Sequence, residues 1–331
     1  FLVYLFFKSE IYWKGEKRDY YYIYFLLSFS IFIISPLIFY LNKNIKEYLI
    51  IILISFILSL YLINTYIAFG QTIIQKNYKV KLYKKETNLN YDLRTKKQIF
   101  LEKRKKEKIT ILTPTNYFEE HNIYALSGIS KYETIHCNEN GYYSQYLSDR
   151  YGFNNPDDAW DKKQIEYFII GDSYIHGSCV NRPNDISSVL RTLSKKPVLN
   201  LGYSGNGPMK QFATLREYLI PNVKNILWVY YEGNDLLDLR NELKSDNLIL
   251  NEYLKNDSFS QNLKKHQNKI DQLQNLYLLN MLKKNDVNFF REIFKFIKIY
   301  QTRYFLKRKF SKNIIEDEIF MKYEKILENV F

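Results

Sequence analysis

Gly171-Asp172-Ser173-Tyr174-Ile175-His176-Gly177 follows the apolar run Tyr167-Phe168-Ile169-Ile170 and leads into a helix-like segment. That order puts a serine at the carboxyl end of a strand, on the turn into a helix. Open α/β sheets carry their reactive groups there, and backbone N–H groups at such a turn favour developing negative charge. Ser173 is therefore a candidate nucleophile. A serine nucleophile needs a proton acceptor, and the chain offers four histidines.

Downstream, the pattern repeats. Short apolar runs at 165–170, 197–201 and 224–231 read as strands, and 185–195 and 208–219 between them read as helices. Strands alternating with helices predict βαβ units and a parallel sheet, with right-handed crossovers placing helices on both faces. The three carboxyl ends then share one edge. They carry Gly171-Asp172-Ser173, then Asn200-Leu201-Gly202-Tyr203-Ser204-Gly205-Asn206-Gly207-Pro208, then Glu232-Gly233-Asn234-Asp235. The glycine-rich second loop lets backbone N–H groups approach a substrate oxygen, and Asn234 adds a side-chain amide. Such donors converging on one oxygen form an oxyanion hole. Gly202 reads as a turn glycine, and Asp172 as a structural hydrogen bonder.

These blocks resemble the SGNH (GDSL-type) hydrolase superfamily, whose esterases, lipases and acyltransferases share a flavodoxin-like sheet. The resemblance implies a three-layer α/β/α parallel sheet over 161–331. It implies Ser173 as nucleophile and oxyanion N–H donor, Gly205 as a second N–H donor, and Asn234 as the side-chain donor. It covers about residues 164–240. The family's glycine two places before the asparagine is Glu232 here. The chain is also similar to membrane-anchored bacterial members carrying Cys137-Asn138-Glu139-Asn140-Gly141 and Asp149-Arg150-Tyr151-Gly152-Phe153-Asn154-Asn155-Pro156 upstream.

The family's Asp-x-x-His, which supplies the catalytic base, does not occur in this sequence. His121 follows two glutamates, His136 adjoins Cys137, and His266 lies in a polar helix-like stretch. His176 follows Ser173 by one helical turn, which aims its ring away from the hydroxyl. Two readings follow: an inactive relative, or a chain that is a C-terminal truncation of the family domain. Residues 240–331 read as helix, with Phe290, Ile293, Phe294, Ile297 and Tyr304 at helical spacing. That stripe suits a helix packed over the sheet, or else an interfacial membrane helix.

Residues 20–42 and about 48–70 lie in runs without a charged side chain. Each approaches the ~20 residues that cross a bilayer, so the domain order reads as a membrane region to 75, a basic juxtamembrane and accessory region over 76–160, and the hydrolase-like domain. Lysines follow the second span, and positive-inside counting puts the large domain in the cytoplasm. Lysine abounds throughout, however, and an envelope substrate leans towards an extracytoplasmic domain.

The net charge of +13 over 331 residues comes without a nucleic-acid motif, so nucleic acid is not an expected partner. Cys137 and Cys179 lack metal-site spacing; they suit either one disulfide outside the cytoplasm or two buried thiols. No metal or dissociable cofactor is implied. The expected function is a serine esterase or acyltransferase acting on oxygen esters of envelope glycans or lipids. The alternative is an inactive, membrane-tethered binding module of the same fold.

Overall fold

A computed structural model describes residues 1–15, 17–244, 248–284, 289–310 and 317–329. The chain forms two compact units. One comprises Phe1–Thr72 with Phe290–Phe310, and the other Ile73–Phe289 with the helix Asp317–Glu328.

The first unit is helical. Helix Arg18–Leu37 ends in a tight turn at Ile38–Tyr40, and helix Lys43–Thr65 follows almost at once. The second helix starts earlier than the apolar run because Asn42 caps it, its Oδ1 accepting from the Ile45 N–H at 2.9 Å. Both helices are long and apolar enough to cross a membrane. Their side chains do not form a protein core: Ile33 is 51% and Phe56 60% exposed.

The helices Phe289–Ile297 and Tyr300–Phe310 also belong to this unit. This corrects the expectation that their apolar stripe packs over the sheet. Phe294, Ile297 and Tyr304 are all more than half exposed. The contacts they make instead are with the second apolar helix, where the Tyr61 hydroxyl donates to the Ile297 carbonyl at 3.0 Å.

The second unit is mixed α/β. Its strands are β1 (Ile109–Ile111), β2 (Asn116–Phe118), β3 (Ile123–Ala125), β4 (Glu133–Ile135), β5 (Gln145–Leu147), β6 (Ile165–Ile170), β7 (Val198–Asn200) and β8 (Val223–Trp228). A small mixed sheet runs β1-β4-β5, with β1 and β4 parallel, and β2-β3 is a hairpin. The sheet that matters for the site runs β7-β6-β8, all parallel, with Phe168 opposite Leu199 on one side and Ile226 on the other.

Side-chain alternation sorts β6 onto two faces. Phe168 and Ile170 enter the main core with Leu199 and with Phe212 of helix Pro208–Tyr218. Ile169 joins Val198 and, from helix Ile186–Ser194, Leu190 on the other. Both faces of the sheet are thereby covered by helices. β8 ends at Trp228, short of the expected 231, because its partner β6 ends at Ile170; the last rung is the Val229 N–H to the Ile170 carbonyl at 3.0 Å. Tyr124, Leu126, Phe153 and Trp160 from the upstream region enter the same main core.

Candidate active site

The loops after β6, β7 and β8 leave the sheet side by side. The Tyr203 N–H donates to the Gly171 carbonyl at 3.2 Å, tying the second loop to the first. Gly171 has no room for a side chain: a Cβ would stand 2.6 Å from Ile175 and 3.2 Å from the Val229 carbonyl oxygen. Asp172 is buried and caps the short helix Ser173–His176, accepting from the Tyr174 N–H at 2.8 Å. This is the structural role expected of it. Ser173 stands half-buried beside it. Its Oγ is 3.5 Å from Asp172 Oδ2, longer than the separation at which a hydroxyl donates strongly to a carboxylate.

Ser173 opens onto a cavity of about 370 Å³ whose walls include Tyr174, Gly177, Ser178, Val180 and Asn184. Gly205 is exposed at φ +84°, a conformation that suits glycine. It lines a different cleft, of about 210 Å³, together with Lys210, Asp238 and Glu242. Asn234 is half-buried, and its Nδ2 donates to Asp238 at 2.8 Å. A carboxamide nitrogen carries two hydrogens, so one remains for another acceptor. The topology thus brings the three blocks to one edge, with Ser173 and Gly205 lining separate cavities.

Around Asn234 the charge is acidic. Burial, with Asp172 and Asp238 adding repulsion, pushes the Asp235 carboxyl up to about 6. Burial likewise pushes Glu242 up to about 7, against the pull of Lys210. Glu242 anchors the second loop by accepting from the Gly207 N–H at 2.7 Å and the Met209 N–H at 3.0 Å. These carboxyls were not singled out in the sequence, because nothing local distinguishes them from surface acids.

No histidine contact among the described residues reaches Ser173. His121 and His266 are exposed. His176 is fully buried and stacks on Tyr203 with ring centroids 4.8 Å apart. Its Nδ1 accepts from the Ser204 N–H at 2.9 Å, which fixes the ring proton on Nε2, 2.8 Å from the Tyr146 hydroxyl. His136 Nε2 lies 3.0 Å from Ser204 Oγ and 3.1 Å from Ser178 Oγ. Burial holds the His176 imidazolium well below its ordinary range and lowers His136 to about 4.

This network beneath the second loop was missed from the sequence, although a signal for it existed. His136 precedes Cys137 and Ser178 precedes Cys179, and the two cysteines form a disulfide with Cα atoms 4.9 Å apart. The pairing decides between the two cysteine readings and brings the residues beside it together.

The network carries a pH prediction. A histidine whose folded pKa lies below its unfolded ~6.5 keeps its stabilising neutral form above that pH and loses it as pH falls to about 4. Asp149, Asp235 and Glu242, all raised, act oppositely, losing stability as pH rises through the same range. The comparison must therefore be with His136→Phe. Between pH 6.5 and 4 the wild type should lose about 3 kcal/mol relative to that variant, measured by urea denaturation at each pH. A pH-independent difference would show that His136 stays charged in the fold.

The segment 149–156 props up the two loops from below. Asp149 Oδ1 accepts from the Tyr151 and Phe153 N–H groups, both at 2.9 Å. Its Oδ2 accepts from Asn155 at 2.9 Å and Trp160 Nε1 at 2.7 Å. Asn155 then bonds both the carbonyl and the N–H of Asn200, each at 2.8 Å, where β7 ends. Asn154 Nδ2 donates to the His176 carbonyl at 2.9 Å, and Asn200 Nδ2 to the Ile175 carbonyl at 2.6 Å. Gly202 is required by close packing rather than by the turn role expected of it: it is not at positive φ, and a Cβ there would stand 2.6 Å from the His176 backbone nitrogen. Compared with protein families, with curated proteins and with solved structures, the chain matches none of them.

Proposed function

We propose that the chain is a membrane-anchored serine esterase or acyltransferase of the SGNH type, acting on oxygen esters, with envelope glycans or lipids as the substrate class. The observation that carries this reading is the order of three loops. Gly-Asp-Ser, a glycine-rich turn and Gly-Asn-Asp follow three adjacent parallel strands in the spatial order second-first-third. Flavodoxin-like sheets begin in that order and bind at the carboxyl edge of their strands. Ser173 Oγ adds to the acyl carbonyl, and the Ser173 and Gly205 N–H groups with Asn234 Nδ2 receive the oxyanion; on its collapse the ester C–O bond breaks and the alcohol departs with the serine proton, leaving an acyl-serine. Water or a sugar hydroxyl then takes the acyl group from the serine. Among the described residues, the acceptor that touches the Ser173 hydroxyl is Asp172 Oδ2, at 3.5 Å. The Cys137–Cys179 disulfide supports a domain outside the cytoplasm, and the two apolar helices support the anchor.

A second reading, a non-catalytic module binding an acylated or glycan partner, is favoured by two contacts. Both buried histidines are engaged away from Ser173, and the Asn234 amide rests on Asp238. A fluorophosphonate probe separates the readings. Esterase chemistry predicts a covalent adduct that peptide mapping assigns to Ser173; a fully folded, membrane-inserted protein that takes no label would overturn it.

A further inference from the structure

The helices Phe289–Ile297 and Tyr300–Phe310 form an amphipathic pair attached to the second apolar helix. On the first of them, Ile293, Phe294 and Ile297 share one face, whereas Glu292 and Lys295 share the other, and Lys298 follows in the turn after it. The apolar face is open: Phe294 is 57% and Ile297 55% exposed. The second helix exposes Tyr304, Phe305 and Leu306. Basic residues strongly outnumber the single acidic one, Glu292, over 290–310.

The attachment point sets the depth. Asn64 is buried within the second apolar helix, and its Oδ1 accepts from the Thr302 N–H at 3.2 Å. Thr302 lies in the first turn of its helix, where N–H groups lack an intrahelical acceptor. In an apolar layer such donors require a protein partner, and Asn64 supplies one. Phe69 ends the apolar run; at ~1.5 Å per residue, Asn64 lies about 8 Å before it. Interfacial helices bury their apolar face ~5–10 Å into the boundary between headgroups and acyl chains. The Tyr61 and Phe296 rings meet at 5.3 Å on the same side.

We infer that the segment 289–310 lies in the interfacial layer of the bilayer crossed by the two apolar helices, at the end where the second helix leaves it. Its occupant is lipid: acyl chains against Phe294, Ile297 and Phe305, and phosphate headgroups near Lys295, Lys298 and Arg303. The inference rests on the membrane reading of the two helices.

The test uses the full chain in phosphatidylcholine–phosphatidylglycerol vesicles, spin-labelled at Phe294→Cys, Lys295→Cys or Ile33→Cys. The native cysteines are bonded to each other and do not take the label. Power saturation compares access of oxygen, which partitions into lipid, with access of a water-soluble nickel chelate. The expected result is an oxygen-to-chelate ratio severalfold higher at 294 than at 295, with 33 in lipid. Chelate access at 294 equal to that at 295 overturns the inference. So does shielding of 294 from both reagents, which is the signature of packing against protein. If 33 itself is exposed to the chelate, the membrane reading fails along with the inference; a lipid-exposed 33 beside a water-exposed or protein-shielded 294 removes the inference alone.

Discussion

On the proposed esterase reading, Ser173→Ala should lower the turnover of p-nitrophenyl acetate by at least roughly 10⁴-fold while leaving the fold intact, because that reading makes Ser173 Oγ the bond-forming atom and the fold does not depend on it. The geometry supports a clean substitution. Ser173 Oγ has a single long contact, to Asp172, while the backbone of the turn is held independently by the Asp172 cap and by the Ser178 N–H to the Ser173 carbonyl at 3.0 Å. On the same reading Asn234→Ala should cost less, about 10²–10³-fold, the usual effect of losing one oxyanion donor. That ordering is diagnostic. A binding module has no turnover to lose, and a site centred on the acidic group would respond more to Asp238→Ala than to Ser173→Ala. Equal activity of wild type and Ser173→Ala would remove Ser173 from the chemistry.

Asp149→Ala should destabilise the α/β unit by about 3–4 kcal/mol, since it strands three buried donors and one part-buried donor that each lose an acceptor. Trp160→Phe, which removes one of those donors and keeps most of the ring packing, should cost closer to about 1 kcal/mol. Urea denaturation followed by near-ultraviolet circular dichroism measures both. The damage from Asp149→Ala should also spread to the site, because Asn155 is shared between Asp149 and the end of β7. A loss below about 1 kcal/mol for Asp149→Ala would mean that water replaces the carboxylate without consequence, and that the 149–156 turn does not support the loops.

The two predictions concern residues of very different legibility. Ser173 and Asn234 could be singled out because each follows an apolar strand in a loop of unusual composition, whereas Gly205 was picked from its glycine-rich loop by the resemblance to the SGNH superfamily. Asp149 and Asn155 could not. Their chemistry is the satisfaction of donors on Tyr151, Phe153, Trp160 and Asn200, and the last of these is 45 residues from Asn155. A run such as Asp-Arg-Tyr-Gly-Phe-Asn-Asn-Pro reads as a polar turn; burial makes it a scaffold. His136 and His176 were likewise visible as titratable residues, but their engagement with Ser204, Ser178 and Tyr146 required the disulfide and the stacked loops.

Periodicity and turn chemistry alone determined the alternation of strands and helices from 165 to 228, the charge-free runs of the two long apolar helices, and the candidate nucleophile on its turn, because these are properties of neighbouring residues. Tertiary structure decided the strand order, the cysteine pairing, the partners of the histidines, and the placing of 289–310 with the apolar helices rather than over the sheet. The same amphipathic stripe suits a sheet face or a lipid surface equally well. What places it with the second apolar helix is a set of contacts from Tyr61 and Asn64 to Phe296, Ile297 and Thr302, more than 230 residues away in sequence.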